Sequence, residues 1–335
     1  MTNRTSPLSG TPRTRVPLSE RPLPPVDRTI PPWPGEAEEY GGVRLHVRRA
    51  PRPDGEYTDE PTVVFVHGLG GSSTNWTDLA GQLAGYANGL AVDLPGSGRT
   101  EPPAGHLFTP AGNAEVLAGF VRGLDSTHNT GPVHLVGNSM GGATSLLFAA
   151  GYPDLVRTLT LISPAVPDLR LSPKRLSDPR LPLAFLPVVG RRVRRQLAAM
   201  SPRDRADSLM RLCFADPDSI PEQRRVEATE EAAYLASTPW AGPSLSSSTV
   251  GLMRSWLVPR SRSMWTLLPT VTAPTLVIWG TEDRLVSVRK APRTAELLPR
   301  ARLLVLPRTG HVAQMERPDT VARAMLGMWE NEDTW

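Results

Sequence analysis

Hydrophobic positions recur along this chain with two periods. Short apolar runs that stop at glycine read as strands buried on both faces, and segments with apolar residues three and four apart read as helices packed by one face. "TVVFVHG" (62–68) is such a strand, and "STNWTDLAGQLA" (73–84) is such a helix, with Trp76, Leu79, Ala80, Leu83 and Ala84 on one side. "GLAVDLPG" predicts the next strand. "TPAGNAEVLAGFVRGL" predicts a helix with Thr109 as N-cap and Pro110 at its first position. "VHLVGNS" (strand), "MGGATSLLFAAGY" (helix) and "VRTLTLIS" (strand) follow. Ahead of them, from Gly42, "VRLHVRR" alternates as an edge strand would.

The alternation then stops. Residues 166–268 are helix-biased and punctuated by proline, and the strand–helix rhythm resumes with "TLVIWG" (275–280), "SVRKAPRTAELL", "ARLLVLP" and "DTVARAMLGMW". Alternating strands and helices imply an α/β fold, a mostly parallel central sheet with helices on both faces. One interruption this long is too large for a bare loop and implies an inserted helical cap. The expected organisation is a Pro/Arg-rich tail over 1–40, a first core part over 41–165, the cap over 166–268 and a second core part over 269–335. The tail, with "SERPLPPVDRTIPPWPGE", has no helical or strand period and is expected to be disordered, a proline-rich docking segment being the other reading.

Composition narrows the class. With 335 residues, 39% hydrophobic and 21% charged, the chain fits a globular protein with a substantial core. No apolar run approaches the ~20 residues of a membrane span, and the N-terminus lacks a secretory signal, so a cytoplasmic location is the default expectation. Cys213 is the only cysteine, which excludes an intrachain disulfide. It has no catalytic company and reads as a small buried apolar residue. The net charge of +4 is mild, and the positive surplus sits in the insertion, where residues 166–265 carry fifteen Arg and one Lys against ten Asp and Glu. No nucleic-acid reading module accompanies it. "LPLAFLPVVGRRVRRQLAAM" sets an apolar segment beside Arg191, Arg192, Arg194 and Arg195. It reads as a cap helix with arginines in water in preference to a membrane-surface element. Trp240, Trp256 and Trp265 fit an apolar substrate pocket or the cap's own core.

The candidate chemistry centres on "HLVGNSMGGAT" (134–144). Gly137-Asn138-Ser139-Met140-Gly141 matches G-x-S-x-G between a predicted strand and a predicted helix, the frame in which a strained turn exposes a serine hydroxyl at the carboxyl edge of a sheet. Serine needs a base, and the base needs an orienting carboxylate. Asp283 in "WGTEDRLV" and His311 in "LPRTGHVAQME" each follow a strand, in the order Ser, Asp, His. Of the other histidines, His46 and His134 lie in strands, His106 and His128 in polar loops, and His67 reads as structural. Glu282 and Asp168 remain alternatives for the acid. No motif asks for a metal, nucleotide or other cofactor.

These segments carry a resemblance. Through "FVHGLGG", "VDLPGSG", "VGNSMGG" and "GTEDRLV…GHVAQMERP", the chain resembles the α/β-hydrolase fold family over about residues 42–331. The resemblance implies an oxyanion hole from the backbone N–H groups of Met140 and Leu69, with Gly70 as the alternative to Leu69. It also implies a serine hydrolase that cleaves a carboxylic ester of a small, largely apolar substrate through an acyl-enzyme. Dehalogenases and epoxide hydrolases of this fold use aspartate as nucleophile, and Ser139 speaks against both. "VGNSMGGATSLLFAAGYPDLV" is also similar to the C–C bond hydrolases of meta-cleavage products. Against them, "HGLGGS" departs from their "HGGGPG", and Val312 stands where they carry tryptophan. Cofactor-free haloperoxidase-like members share the triad, and a non-catalytic binding role is the reading from another class.

Overall fold

The computed structural model describes residues 15–51, 60–128, 130–168, 191–192, 195–196 and 199–335. Eight strands form one sheet: β1 (Gly35–Tyr40), β2 (Val43–Arg49), β3 (Thr62–Val66), β4 (Asn88–Val92), β5 (Val133–Asn138), β6 (Val156–Ile162), β7 (Thr275–Gly280) and β8 (Ala301–Leu306). Their order is β1-β2-β4-β3-β5-β6-β7-β8, antiparallel at β1–β2 and β2–β4 and parallel from there on. All residues of β3, β4, β5 and β7 are buried, as strands covered on both faces require.

Helices cover both faces. On one side lie α1 (Thr77–Leu83) and α10 (Pro318–Trp329), whose Leu79, Leu83, Val321 and Met325 pack with Phe65, Ile162 and Ile278. On the other lie α2 (Pro110–His128), α3 (Met140–Gly151) and α8 (Ala291–Leu297), whose Leu117, Leu146 and Ala295 pack with Val64, Leu135 and Val277. Each such Leu or Val contributes roughly 1.5–3 kcal/mol of transfer free energy. Thr109 caps α2 as expected, its Oγ1 accepting the Gly112 N–H at 3.0 Å.

Between β6 and β7 the chain forms α4 (Pro202–Cys213), α5 (Glu222–Ser237), α6 (Ala241–Trp256) and the single turn α7 (Met264–Leu267). The apolar segment 181–190 and Arg194 lie outside the described residues, while Arg191, Arg192 and Arg195 are exposed. Trp256 is buried in the core and donates to the Ala165 carbonyl at 2.9 Å, and Trp265 lies under the Arg293 guanidinium. Trp240 immediately precedes α6.

The front of the chain differs from the expected tail. Residues 35–40 form the outer strand, which makes "VRLHVRR" second from the edge. "GEAEEY" escapes pattern reading because half of its residues are charged and it carries no apolar alternation, although Tyr40 packs edge-on to Phe120 and the Glu38 side chain is 9% exposed against Arg49. Residues 15–34 lack regular structure yet run along the core. The Ser19 N–H bonds the Arg323 carbonyl at 3.0 Å, Arg302 reaches the Arg15 carbonyl, and Gln82 reaches that of Pro24. Backbone carbonyls freed by proline are thus taken by side chains of the folded domain. Residues 1–14 lie outside the described residues.

Among the described residues no helix is long and apolar enough to cross a membrane, and no cluster of His, Cys, Asp and Glu could hold a metal ion.

Candidate functional site

Ser139 sits between the end of β5 and the first residue of α3 with φ 55° and ψ −118°, a conformation that costs a non-glycine residue about 1–3 kcal/mol. The surroundings hold it there. The Ser139 N–H bonds the Ile162 carbonyl at 3.0 Å, and its carbonyl accepts from Ala143 at 3.0 Å and Ala165 at 2.8 Å. The Ala165 carbonyl in turn receives the Trp256 indole from the insertion. Gly141 has to be glycine, since a Cβ there would run into the backbone carbonyls of Val66 and His67. That contact wedges α3 against the end of β3 and brings the next loop alongside the serine. A Cβ on Gly68 would lie 3.0 Å from the Ser139 Cβ.

That next loop carries Leu69 and Gly70, the two candidates for the second oxyanion donor. The Gly71 N–H closes a turn onto the Gly68 carbonyl at 3.1 Å, and Gly70 takes φ +72°, open to glycine. Leu69 packs partly against the core. Met140 opens α3, so its N–H has no carbonyl four residues back within the helix. Beneath the loop, His67 accepts the Leu94 N–H on Nε2 at 3.0 Å, which leaves Nδ1 protonated to donate to the Gly68 carbonyl at 2.7 Å. Burial pushes the imidazole down and keeps it neutral. Asp93, from "VDLPGSG", accepts from His46, Ser73 and Arg99 and ties the adjoining loops together. His67 is therefore structural, as its sequence position implies.

Asp283 and His311 come together from the loops after β7 and β8. The His311 Nδ1 lies 2.8 Å from Asp283 Oδ2, with side-chain exposures of 3% and 0%. The other carboxylate oxygen, Oδ1, accepts the N–H groups of Leu285 at 2.8 Å and Val286 at 2.9 Å, so the acid is fixed from two sides. His311 Nε2 is buried and has no hydrogen-bond partner, an arrangement that leaves one ring nitrogen able to exchange a proton with a neighbour. The alternatives fall elsewhere: Asp168 is buried and accepts the Ser287 N–H at 3.2 Å, and Glu282 is exposed.

Sequence reasoning passed over three residues that join these parts. Asn138, just before the serine, donates its Nδ2 to the Ile162 carbonyl at 3.1 Å and to the His311 carbonyl at 3.0 Å, linking the serine turn to the histidine loop. Glu316 and Arg284 bond that loop and the Asp283 loop to backbone groups beyond the end of α4. Asn138 was inside the quoted motif but stood as a spacer. Cys213, at the end of α4, is partly exposed, and burial followed by the charges of Asp283 and Glu316 pushes its thiol up to about 12. It is no nucleophile at neutral pH.

Known proteins agree with this architecture. A family profile described as alpha/beta hydrolase fold matches residues 61–318. A monoacylglycerol lipase of Xenopus laevis is 27% identical over 272 residues, covering 81% of this chain and 76% of its own. A 2-hydroxy-6-oxononadienedioate/2-hydroxy-6-oxononatrienedioate hydrolase of Cupriavidus pinatubonensis is 27% identical over 286 residues, covering 81% and 87%. The crystal structure of a bacterial membrane phospholipase A superposes with a TM-score of 0.69 at 25% identity, over 91% of this chain and 88% of that one. The chain belongs to the α/β hydrolase fold family, and, as its hydrolase relatives and structural neighbours indicate, it is a hydrolase.

Proposed function

We propose that the protein is a serine hydrolase that cleaves carboxylic esters of small, largely apolar molecules through Ser139, His311 and Asp283. The observation that carries this reading is the linked geometry of the three loops: Asn138 beside the serine bonded to the His311 carbonyl at 3.0 Å, and the imidazole bonded to Asp283 at 2.8 Å with its far nitrogen unpartnered. His311 accepts the Ser139 proton as Oγ attacks the ester carbonyl, while the N–H groups of Met140 and Leu69 receive the oxyanion. Each such donor contributes about 3 kcal/mol to the transition state. The tetrahedral intermediate expels the alcohol, protonated by His311, and leaves an acyl group on Ser139. Water then attacks with His311 as base, and the acid departs. Asp283 fixes the imidazole tautomer and stabilises its charged form.

The likeness to a monoacylglycerol lipase and a phospholipase A supports an apolar acyl group. The equal likeness to a dienedioate hydrolase favours C–C bond hydrolysis as the second reading. A series of 4-nitrophenyl esters from acetate to dodecanoate, run with one dienoic meta-cleavage product, separates the two. Ester turnover by the wild type that vanishes in Ser139→Ala is the expected result. Bleaching of the dienoate with greater efficiency than any ester is cleaved would install the second reading. No turnover of either, with no labelling of Ser139 by a fluorophosphonate, would end both.

A further inference from the structure

The end of α4 is gripped by both loops that carry the candidate acid and base. The His311 N–H donates to the Cys213 carbonyl at 2.7 Å. Glu316 lies one helical turn beyond the histidine, on the short helix α9 (Ala313–Glu316). It accepts the Gly310 N–H on Oε1 at 2.7 Å and the Ala215 N–H on Oε2 at 3.0 Å, so one carboxylate bridges the peptide before His311 to the insertion. Gly310 is crowded enough there that a Cβ would meet the Cys213 carbonyl and the Ala215 nitrogen. From the other loop Arg284, the residue after Asp283, donates to the carbonyls of Arg211 at 2.5 Å, Phe214 at 3.1 Å and Ala215 at 3.3 Å. The Arg211 carbonyl is one that a helix end leaves without a partner, the other two belong to the residues just past it, and a guanidinium there is also favoured by the helix dipole. Around them Val312 packs with Met210, Phe214 and Ile220.

Resting on the reading of Ser139, His311 and Asp283 as the triad, we propose that Glu316 and Arg284 are positioning residues which mount base and acid on the end of α4. Alignment of the pair then depends on how the insertion is seated. An insertion that merely formed a substrate pocket would act on KM and on long acyl chains. One that serves as the mount acts on kcat, even for the smallest ester. Misplacement of a reacting group by about 1 Å lowers rates by about 100-fold.

The test compares wild type, Glu316→Gln, Arg284→Met and Arg284→Lys with Arg203→Gln, a control in the exposed Arg203–Glu222 pair of the same insertion. Kinetics on 4-nitrophenyl acetate and octanoate are read beside the rate of fluorophosphonate labelling. Glu316→Gln and Arg284→Met should each lower acetate kcat about 10- to 100-fold with KM within about twofold. Labelling should slow in parallel, Arg284→Lys should fall between, and Arg203→Gln should match wild type. Acetate kcat within about twofold of wild type in the folded variants, or a loss confined to octanoate KM, would overturn the proposal. Should the two stronger substitutions fail to fold, Arg284→Lys decides, and a wild-type kcat there is the adverse result. A wild type inert to the fluorophosphonate indicts the triad reading itself, an outcome distinct from reactive wild type with equally reactive variants.

Discussion

Ser139 and the two residues proposed as its partners stand on different footings. The serine turn is fixed mainly by strand ends and glycine contacts, through Ile162, Val66, His67 and Gly68, and meets the insertion only indirectly, through Ala165, whose carbonyl receives the Trp256 indole. The loops of His311 and Asp283 begin on the sheet but lean on backbone groups of residues 211–215, which belong to the insertion. On the proposed reading, the nucleophile is built by a fold common to many chemistries, while its activation is tied to the insertion. If the proposed triad holds, the difference teaches that insertion and catalysis form one mechanical system.

The sharpest way to break that comparison is on the serine itself. Ser139→Ala should lower ester kcat by about six orders of magnitude, to the residual rate of binding and oxyanion stabilisation alone. Its melting temperature, read by calorimetry, should stay close to wild type. Asp283→Asn should lower kcat about 10⁴-fold by releasing the imidazole tautomer, whereas Asp168→Asn should lower it less than about tenfold. Equal losses would erase the distinction between the two carboxylates.

Stability probes separate sheet from site. His134 lies at the opposite end of β5 from the serine, stacked on Trp329 at 4.2 Å, and burial depresses its pKa from 6.5 to about 3. The folded form holds it neutral while the unfolded chain takes up a proton, so the stability present above pH 6.5 is lost as pH falls from about 6.5 toward 3. In urea titrations, wild type should lose about 3 kcal/mol more stability between pH 7 and pH 4 than His134→Gln, the variant being the less acid-sensitive. The smallest expected effect is on the wedge: Gly141→Ala should destabilise by about 1–3 kcal/mol through overpacking. It should also reduce fluorophosphonate labelling, because relief of the clash displaces the serine turn.

Features that depend on neighbours in the chain were open to reading. β5, the glycine-flanked serine and α3 are contiguous, so strand run, turn and helix period all point to one local geometry. Asp283 and His311 could be named by their place after strands and their order. The outer strand β1 was hidden because half of its residues are charged and it carries no apolar period, Glu38 being buried only by pairing with Arg49 on the next strand. Residues 15–34 were hidden for a related reason, since their contacts are made by backbone groups and by scattered side chains such as Val16, Leu23 and Trp33 that follow no period. Glu316 and Arg284 stood in full view within the quoted segments, yet they bond to backbone atoms about 70 to 100 positions away, and no spacing in the sequence encodes such a partner.

Arg224 on α5 donates to Asp78 on α1, to Glu227 and to the Ile30 carbonyl, all with its own side chain only 4% exposed. A form shortened to start at the first strand would therefore not lose idle ribbon. It would remove an acceptor from a guanidinium already out of water, at one of the points where the insertion is anchored to the body of the enzyme, and the damage should surface far from the cut.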